Sequence, residues 1–202
     1  MEVIFLRHGE TNGNIAHRHQ HSNTPLNKMG EKQAREVAPK IAALAPTHFI
    51  SSTHLRAMET TRIVALVCNL TPDTHPAFEE LDRPQWLVGR HYIGLTTTWY
   101  VVRWFFGLPI KSGESYDAFV KRIKIAQMHL ESLPANARVV VVSHAVFVNI
   151  FLAHLCIKKR LSIWGAVNSF ISIFTLNNTG IIHLHHNTTK NSKQCGWSVI
   201  ER

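Results

Sequence analysis

Acidic residues are scarce in this chain of 202 amino acids: 13 Asp and Glu stand against 22 Lys and Arg, a formal charge of +9 with its 14 histidines neutral. Such a surplus points to an anionic partner, whether nucleic acid, an acidic membrane face or a phosphorylated substrate. Cysteine is nearly absent. Cys68, Cys156 and Cys195 form no CxxC pair and are odd in number, which argues against a disulfide scaffold or a cysteine-rich zinc site and fits a reducing compartment. No apolar run is uninterrupted enough to span a bilayer. Tyr92 to Ile110 carries Arg103, Gly94, Gly107, Pro109 and a run of three threonines, and Val139 to Leu155 is broken by Ser143, His144 and Asn149. Met1 and Glu2 lead directly into Val3-Ile4-Phe5-Leu6, too short for the apolar region of a signal peptide. The expected location is therefore cytoplasmic.

What remains is a globular composition, 45% hydrophobic and 17% charged, long enough to bury a core without staples. With no internal repeat, low-complexity tract or dividing linker, residues 1–202 read as one domain. Apolar runs of strand length alternate with amphipathic stretches, which predicts a three-layer α/β/α sandwich around a mostly parallel sheet. Strands are expected at Val3–Leu6, His48–Ser51, Thr74–Glu79, Arg138–Ser143, Phe170–Leu176 and Ile181–His185. Val139-Val140-Val141-Val142 lacks polar alternation and belongs at the sheet centre, covered on both faces. Asn177-Asn178-Thr179-Gly180 reads as a hairpin turn, so one strand near the C-terminal end is expected to be antiparallel. Helices are expected at Asn27–Leu44, Leu55–Asn69, Tyr116–Leu133 and Val146–Leu155. Ser115 is placed to cap the third, and Pro39 to kink or split the first.

The stretch at about 84–109 is unusual. Trp86, Trp99, Tyr100, Trp104, Phe105 and Phe106 make it too aromatic for a solvated loop. It is expected to pack as an insertion over one end of the sheet, either as a satellite core or as a lid over a substrate pocket.

The chemistry concentrates in Leu6-Arg7-His8-Gly9-Glu10-Thr11-Asn12-Gly13-Asn14. A buried strand ends here, at the edge where open α/β sheets bind ligands. Arg7 brings a planar cation matched to phosphate oxygens, and Gly9 permits close backbone approach or an unusual φ. Thr11 and Asn14 add neutral donors. A nucleophilic imidazole that takes up a phosphoryl group needs such surroundings. Taken singly, each residue has a plainer reading: Arg7 and Arg56 as surface charges, His144 as a satisfied core histidine.

The segment resembles the R-H-G-[ES]-T-x-x-N signature of the histidine phosphatase superfamily, the phosphoglycerate-mutase-like proteins. Further matches follow in family order from residue 4 to about 175. Asn23-Thr24-Pro25-Leu26 with Gly30, Gln33 and Ala34 resembles the entry to the first helix, Asn standing for the usual Asp. Ser51-Ser52 with Arg56, Ala57 and Thr60 resembles S-S-x-x-x-R-A-x-x-T. Phe78-Glu79-Glu80-Leu81, Gly113-Glu114-Ser115, Val142-Ser143-His144 and Asn168-Ser169 resemble later motifs, the last at a strand.

The resemblance implies that His8 is the nucleophile and that Arg7, Arg56 and His144 surround the transferring oxygens. Glu80 is implied as general acid and base. Glu79 competes, but Glu80 keeps the family spacing, and strand alternation would put Glu79 on the other face. Thr11, Asn14, Gln20 and Ala145 are expected to touch substrate. The arginines and histidines already supply positive charge, so no metal or other cofactor is called for, and activity should persist in a chelator.

His17-Arg18-His19-Gln20-His21 could ligate zinc, yet no Cys or acidic partner stands nearby, and we read it as lining the pocket mouth. Lys158-Lys159-Arg160 reads as a solvated loop, and His183, His185 and His186 as ordinary strand residues. No nucleic-acid-binding signature accompanies the basic charge. The expected partner is thus a small anionic phosphorylated substrate, with neither nucleic acid nor membrane involved; a dimer stays open.

After Glu80 the chain runs Leu81-Asp82-Arg83-Pro84 and lacks both the Gly-x-x-E-G of many members and the E-R-x-Y-G-x-L-x-G stretch of the cofactor-dependent mutases. Hydrolysis of a small phosphomonoester is therefore the favoured expectation. A protein phosphatase acting on phosphohistidine, a mutase-type phosphotransferase and a non-catalytic phospho-ligand binder are the alternatives.

Overall fold

The computed structural model describes residues 1–157, 160–187 and 195–201. Lys158 and Lys159 lie outside the described residues, so the expected solvated loop is tested only at Arg160, which pairs with Asp117. Six strands form one sheet: β1 (Glu2–Arg7), β2 (His48–Ser51), β3 (Asp73–Thr74), β4 (Arg138–Ser143), β5 (Ile181–His186) and β6 (Trp197–Glu201), in spatial order β3-β2-β4-β1-β5-β6. β1, β2, β3 and β4 pair in parallel. β5 is antiparallel to both β1 and β6, so it alone runs against the others. This is the mostly parallel α/β sheet that the residue patterns predict.

Alternation along the central strands builds two cores. Val139 and Val141 of β4 join Val3 and Phe5 of β1 on one face, while Val140 and Val142 join Ile4 and Leu6 on the other. The second face is covered by α2 (Lys28–Ala43) and α3 (Leu55–Val67) through Val37, Ala38, Ile41 and Val64. The first is covered by α5 (Tyr116–Glu131) and α6 (Ala145–Ala153) through Phe119, Ile123, Phe147 and Phe151. Phe147 touches Phe5, Phe78, Phe119 and Phe151 in tilted or edge-on contacts. Truncating so enclosed a ring costs about 3–5 kcal/mol.

Local signals set the helix ends. The Asn27 side chain accepts from Gly30 N–H at 2.7 Å, and Ser115 from Ala118 N–H at 3.2 Å, as N-caps do. α1 (Asn12–Ile15) is a single turn capped by Thr11. Pro39 neither splits nor ends α2; it forfeits one backbone bond near the last turn, and the buried face of Ala34, Val37, Ala38 and Ile41 holds the helix on the sheet.

Three expectations are corrected. Phe170–Leu176 is not a strand: residues 163–175 form α7 (Ile163–Thr175), so Asn168 and Ser169 are helical. The Ser162 hydroxyl caps Gly165 N–H at 3.1 Å, a start signal that outweighs the β-like alternation of Phe170-Ile171-Ser172-Ile173. Thr74–Glu79 is a strand only at Asp73–Thr74; Pro76 opens a short 3-10 turn to Phe78, since proline fixes φ and cannot feed a ladder. Cys156 and Cys195 are joined in a disulfide, their Cα atoms 5.3 Å apart, leaving Cys68 as the free thiol. An odd cysteine count says nothing about which pair the fold brings together, and the argument for a reducing compartment loses its basis. Among the described residues, no helix is long and apolar enough to cross a membrane.

Residues 84–109 form a short 3-10 turn (Gln85–Leu87) and α4 (Leu95–Phe105). Leu87, Tyr100, Trp104 and Phe105 enter the first core, whereas Trp86, Leu95, Trp99 and Phe106 stay exposed. The segment is two-sided.

Candidate active site

Three parallel strands end level with one another. β1 and β4 are in register to Arg7 and Ser143, and His8 N–H continues the ladder to Ser143 carbonyl at 3.0 Å. Ser52 N–H likewise bonds the Val142 carbonyl at 3.0 Å. The next residues therefore stand in a row: Ser52 Oγ lies 2.8 Å from His144 Nε2, and the His144 and His8 rings are 5.1 Å apart.

His8 is 4% exposed. Its Nδ1 is 2.7 Å from the Gly9 carbonyl, an acceptor only, so Nδ1 carries the proton. Its Nε2 accepts the Arg56 Nε–H at 3.2 Å and is therefore bare. Burial first, then the Arg56 and Arg7 guanidiniums, push its pKa well below 6.5, and the ring is neutral. The loop that carries it is pressed onto α2: a Cβ on Gly9 would sit 2.5 Å from the Gly30 carbonyl oxygen, and one on Gly30 2.1 Å from that of Glu10. Gly9 is needed for close approach and not for an unusual φ.

Arg56, at the start of α3, is buried and places every arm. Nη1 donates to the His21 carbonyl at 2.9 Å and Nη2 bonds His54 Nδ1 at 3.2 Å. Burial lowers its pKa to about 10, so the charge persists. Arg7 is anchored by a bond to the Leu176 carbonyl. His144 is fully buried, and desolvation with the Arg56 charge holds it neutral. Desolvation, then Arg56, also brings His54 to about 4.

Glu80 hangs from main-chain donors. Oε1 accepts Leu81 N–H at 2.9 Å and Phe147 N–H at 3.1 Å; Oε2 accepts Val146 N–H at 3.3 Å. The last two belong to the first turn of α6, whose N–H groups have no partner within the helix. Arg122 of α5 clamps the backbone behind it, donating to the carbonyls of Ala77, Glu79 and Glu80 while pairing both oxygens of Glu114. The Gly-Glu-Ser motif thus acts through Arg122. Glu79 instead accepts from Thr53. The preference for Glu80 over Glu79 agrees with this geometry, although strand alternation is not its cause, because no strand is present there.

A cavity of 290 Å³ opens over these groups. Arg7, His8, Arg56 and Glu80 line it together, with Asn14, Gln20 and Ala145 at its sides. Two expected residues stand behind it. Thr11 is fully buried and spends its hydroxyl on Asn14 and Gln20, and His144 backs His8 without reaching the wall. His17 and His19 do line the mouth, and no group of three or more His, Cys, Asp or Glu suited to a metal occurs among the described residues. Trp86 lies outside the cavity.

Sequence reasoning missed Arg83, Tyr92, Tyr100 and Trp104, which form the outer wall, and Asn178. The signal for Tyr92, Tyr100 and Trp104 was the aromatic stretch itself; Arg83 stands just before it. Asn178, read as a turn residue, donates to the His8 carbonyl at 3.0 Å. His19 Nε2 bonds Thr97 Oγ1 at 3.1 Å, and burial with the Arg83 charge lowers it to about 3.

The sequence matches the profile of the histidine phosphatase superfamily (branch 1) over residues 3–192. The chain belongs to that superfamily. Among curated relatives of this member, a "Probable phosphoglycerate mutase GpmB" of Proteus mirabilis (strain HI4320) is 34% identical over 159 residues, covering 76% of this chain and 74% of that one. A protein of the same name from Enterobacter sp. (strain 638) is 35% identical over 152 residues, 72% of this chain and 70% of that one. Solved structures share its fold. The alpha-ribazole phosphatase of Shigella flexneri aligns with a TM-score of 0.77 at 21% identity, covering 100% and 96% of the two chains. A mycobacterial glucosyl-3-phosphoglycerate phosphatase complexed with VO3 gives 0.77 at 21%, covering 98% and 97%.

Proposed function

We propose that the chain hydrolyses a small phosphomonoester through a phosphohistidine on His8. The observation that carries this reading is the bare Nε2 of His8, oriented by the Gly9 carbonyl and met by the Arg56 Nε–H. Arg7 and Glu80 line the same cavity. In the first step the Nε2 lone pair forms the N–P bond as the P–O bond breaks, and Glu80 delivers a proton to the departing alkoxide. Arg56 passes its Nε–H from His8 to a phosphoryl oxygen, and Arg7 shares the charge that develops. In the second step Glu80 takes a proton from water, which attacks phosphorus and releases phosphate and free His8.

The test is turnover of p-nitrophenyl phosphate by wild type, His8→Ala and Glu80→Gln. Wild type should turn over and yield an acid-labile, alkali-stable phosphoenzyme, and His8→Ala should lose at least about 10⁴-fold. Glu80→Gln should lose about 10²-fold with alkyl phosphates and less with the nitrophenyl ester, whose leaving group needs no proton. No wild-type turnover of this activated ester would remove the enzymatic reading. Phosphoglycerates, sugar phosphates, nucleotides and a phosphohistidine peptide then sort the substrate class. The enclosed aromatic wall speaks for a small molecule over a phosphoprotein.

The names of the curated relatives support a second reading, transfer of the phosphoryl group back to a phosphoglycerate. Incubation with 3-phosphoglycerate separates the two: hydrolysis releases inorganic phosphate, mutase action gives 2-phosphoglycerate.

A further inference from the structure

The two-sided α4 helix and the basic charge of the chain are unused by the reaction, and they meet in one place. Thr97, Tyr100, Trp104 and Phe105 face inward, and three of them line the cavity. Leu95, Trp99, Val102 and Phe106, at i, i+4, i+7 and i+11, face solvent; Leu95 is 92% exposed and Trp99 52%. Ile93, at 73%, and Leu108 extend this apolar face, and Trp86 meets Trp99 edge-on at 6.0 Å. Trp86, Leu95, Trp99 and Lys111 line a shallow open groove. Monomeric proteins seldom expose so continuous an apolar stripe without using it.

Charge says what covers it. Between Asp82 and Glu114 the chain carries Arg90, Arg103 and Lys111 besides the cavity-lining Arg83, and not one Asp or Glu. The exposed Asp117, which Arg160 links to the end of α4 at the Phe105 carbonyl, is neutralised by that arginine. The Arg103 guanidinium lies 4.8 Å from the Trp99 ring centre and donates to the Pro109 carbonyl, so a cation is fixed within the apolar face. A second copy of the chain docked through this face about a twofold axis would set these cations against their own images. Tryptophan and aliphatic side chains rimmed by Arg and Lys are what lies in the interface of a bilayer bearing acidic headgroups.

We infer that the outer face of α4, with Trp86, Ile93, Leu108 and Lys111, seats the protein on the surface of an anionic lipid bilayer. The sequence-based expectation of no membrane partner was drawn from the lack of a spanning segment. Surface seating needs none. The cavity wall then lies directly against the lipid, since its inner residues sit on the same 11-residue helix. This inference is independent of the reaction proposed for His8.

The full chain is co-sedimented with vesicles of phosphatidylcholine alone and with about 30 mol % phosphatidylglycerol, at low salt and at about 0.5 M salt. Binding is expected on the anionic vesicles only, weakened by salt, with a blue shift of tryptophan emission. The exposed pair Leu95→Ser/Trp99→Ser should lower the partition coefficient about 10-fold or more, and so should Arg103→Glu/Lys111→Glu. Neither residue of the first pair lines the cavity, so an unchanged circular dichroism spectrum and vesicle-free turnover would confirm its fold. No binding to anionic vesicles, or binding unaffected by both pairs, overturns the inference. So does sedimentation velocity showing a dimer that the Leu95/Trp99 pair dissolves, or binding only to an acidic protein.

Discussion

The floor of the cavity and its outer wall are built on opposite plans. On the floor, Arg56 and Glu80 have their polar atoms tied to named partners, four of the six main-chain groups. On the wall, Tyr100 is 1% exposed and its hydroxyl has no partner among the described residues, while Trp104 and Val101 contribute apolar surface. Groups held by the backbone keep a geometry that chemistry demands. A wall of apolar side chains can change and leave that geometry untouched, so on the proposed reading reaction and selectivity fall to different parts of the molecule.

The sharpest way to break this contrast is at Arg56. Arg56→Ala removes one cation and three hydrogen bonds at once, and turnover of p-nitrophenyl phosphate should fall about 10²–10³-fold; a loss under about 10-fold would show the floor to be as dispensable as a wall. Arg122→Ala strikes the floor from behind. Its partly buried pair with Glu114 and its bonds to the Glu79 and Glu80 carbonyls go together, so urea unfolding should show about 3 kcal/mol lost. If Glu80 acts as the proposed general acid, turnover of alkyl phosphates should fall more than that of the nitrophenyl ester, because its carboxyl is displaced.

Acid should act on the floor together with the buried His19 at the mouth, which is lowered to about 3. His8, His144 and His54 bind protons less readily folded than unfolded, His54 at about 4 against an ordinary 6.5. The unfolded chain therefore takes up more protons between roughly pH 4 and 6.5. The stability this confers is complete above pH 6.5 and lost as pH falls through that window, which thermal melts across it would register as a steady drop of several degrees. A melting temperature flat from pH 7 to 4.5 would contradict it. The smallest effect belongs to the wall. Tyr100→Phe deletes a hydroxyl with no partner among the described residues, so denaturant stability should stay within about 1 kcal/mol of wild type or rise, and a loss of about 3 kcal/mol would mean that the hydroxyl has a partner.

The same division explains what could be read from the sequence. Arg7 and His8 stood out as the close of a buried apolar strand, whereas Arg56 and His144 came with the resemblance to the family; the fold brings Arg7, His8 and Arg56 to one cavity and leaves His144 behind it. Glu80 was preferred because it keeps the family's spacing, and the structure sets it on the cavity with a 3-10 turn and a helix N-terminus around it instead of a strand. The wall was flagged only as aromatic; which of Trp86, Trp99, Tyr100 and Trp104 turn inward depends on the phase of α4, and near-continuous apolarity hides that phase. α7 was misread for a related reason, since Phe170-Ile171-Ser172-Ile173 alternates like a strand and only Ser162 marks a helix start. The bond between Cys156 and Cys195 depends on a juxtaposition across the fold that no local pattern encodes.

The suspension of Glu80 from the amide groups of Val146 and Phe147 has a practical corollary. Main-chain donors survive substitution of the side chains they belong to, so position 146 can be enlarged or trimmed while the carboxyl stays in place. With Ala145 beside it, this pair offers a spot where the shape of the cavity can be redesigned while the Glu80 carboxyl stays held.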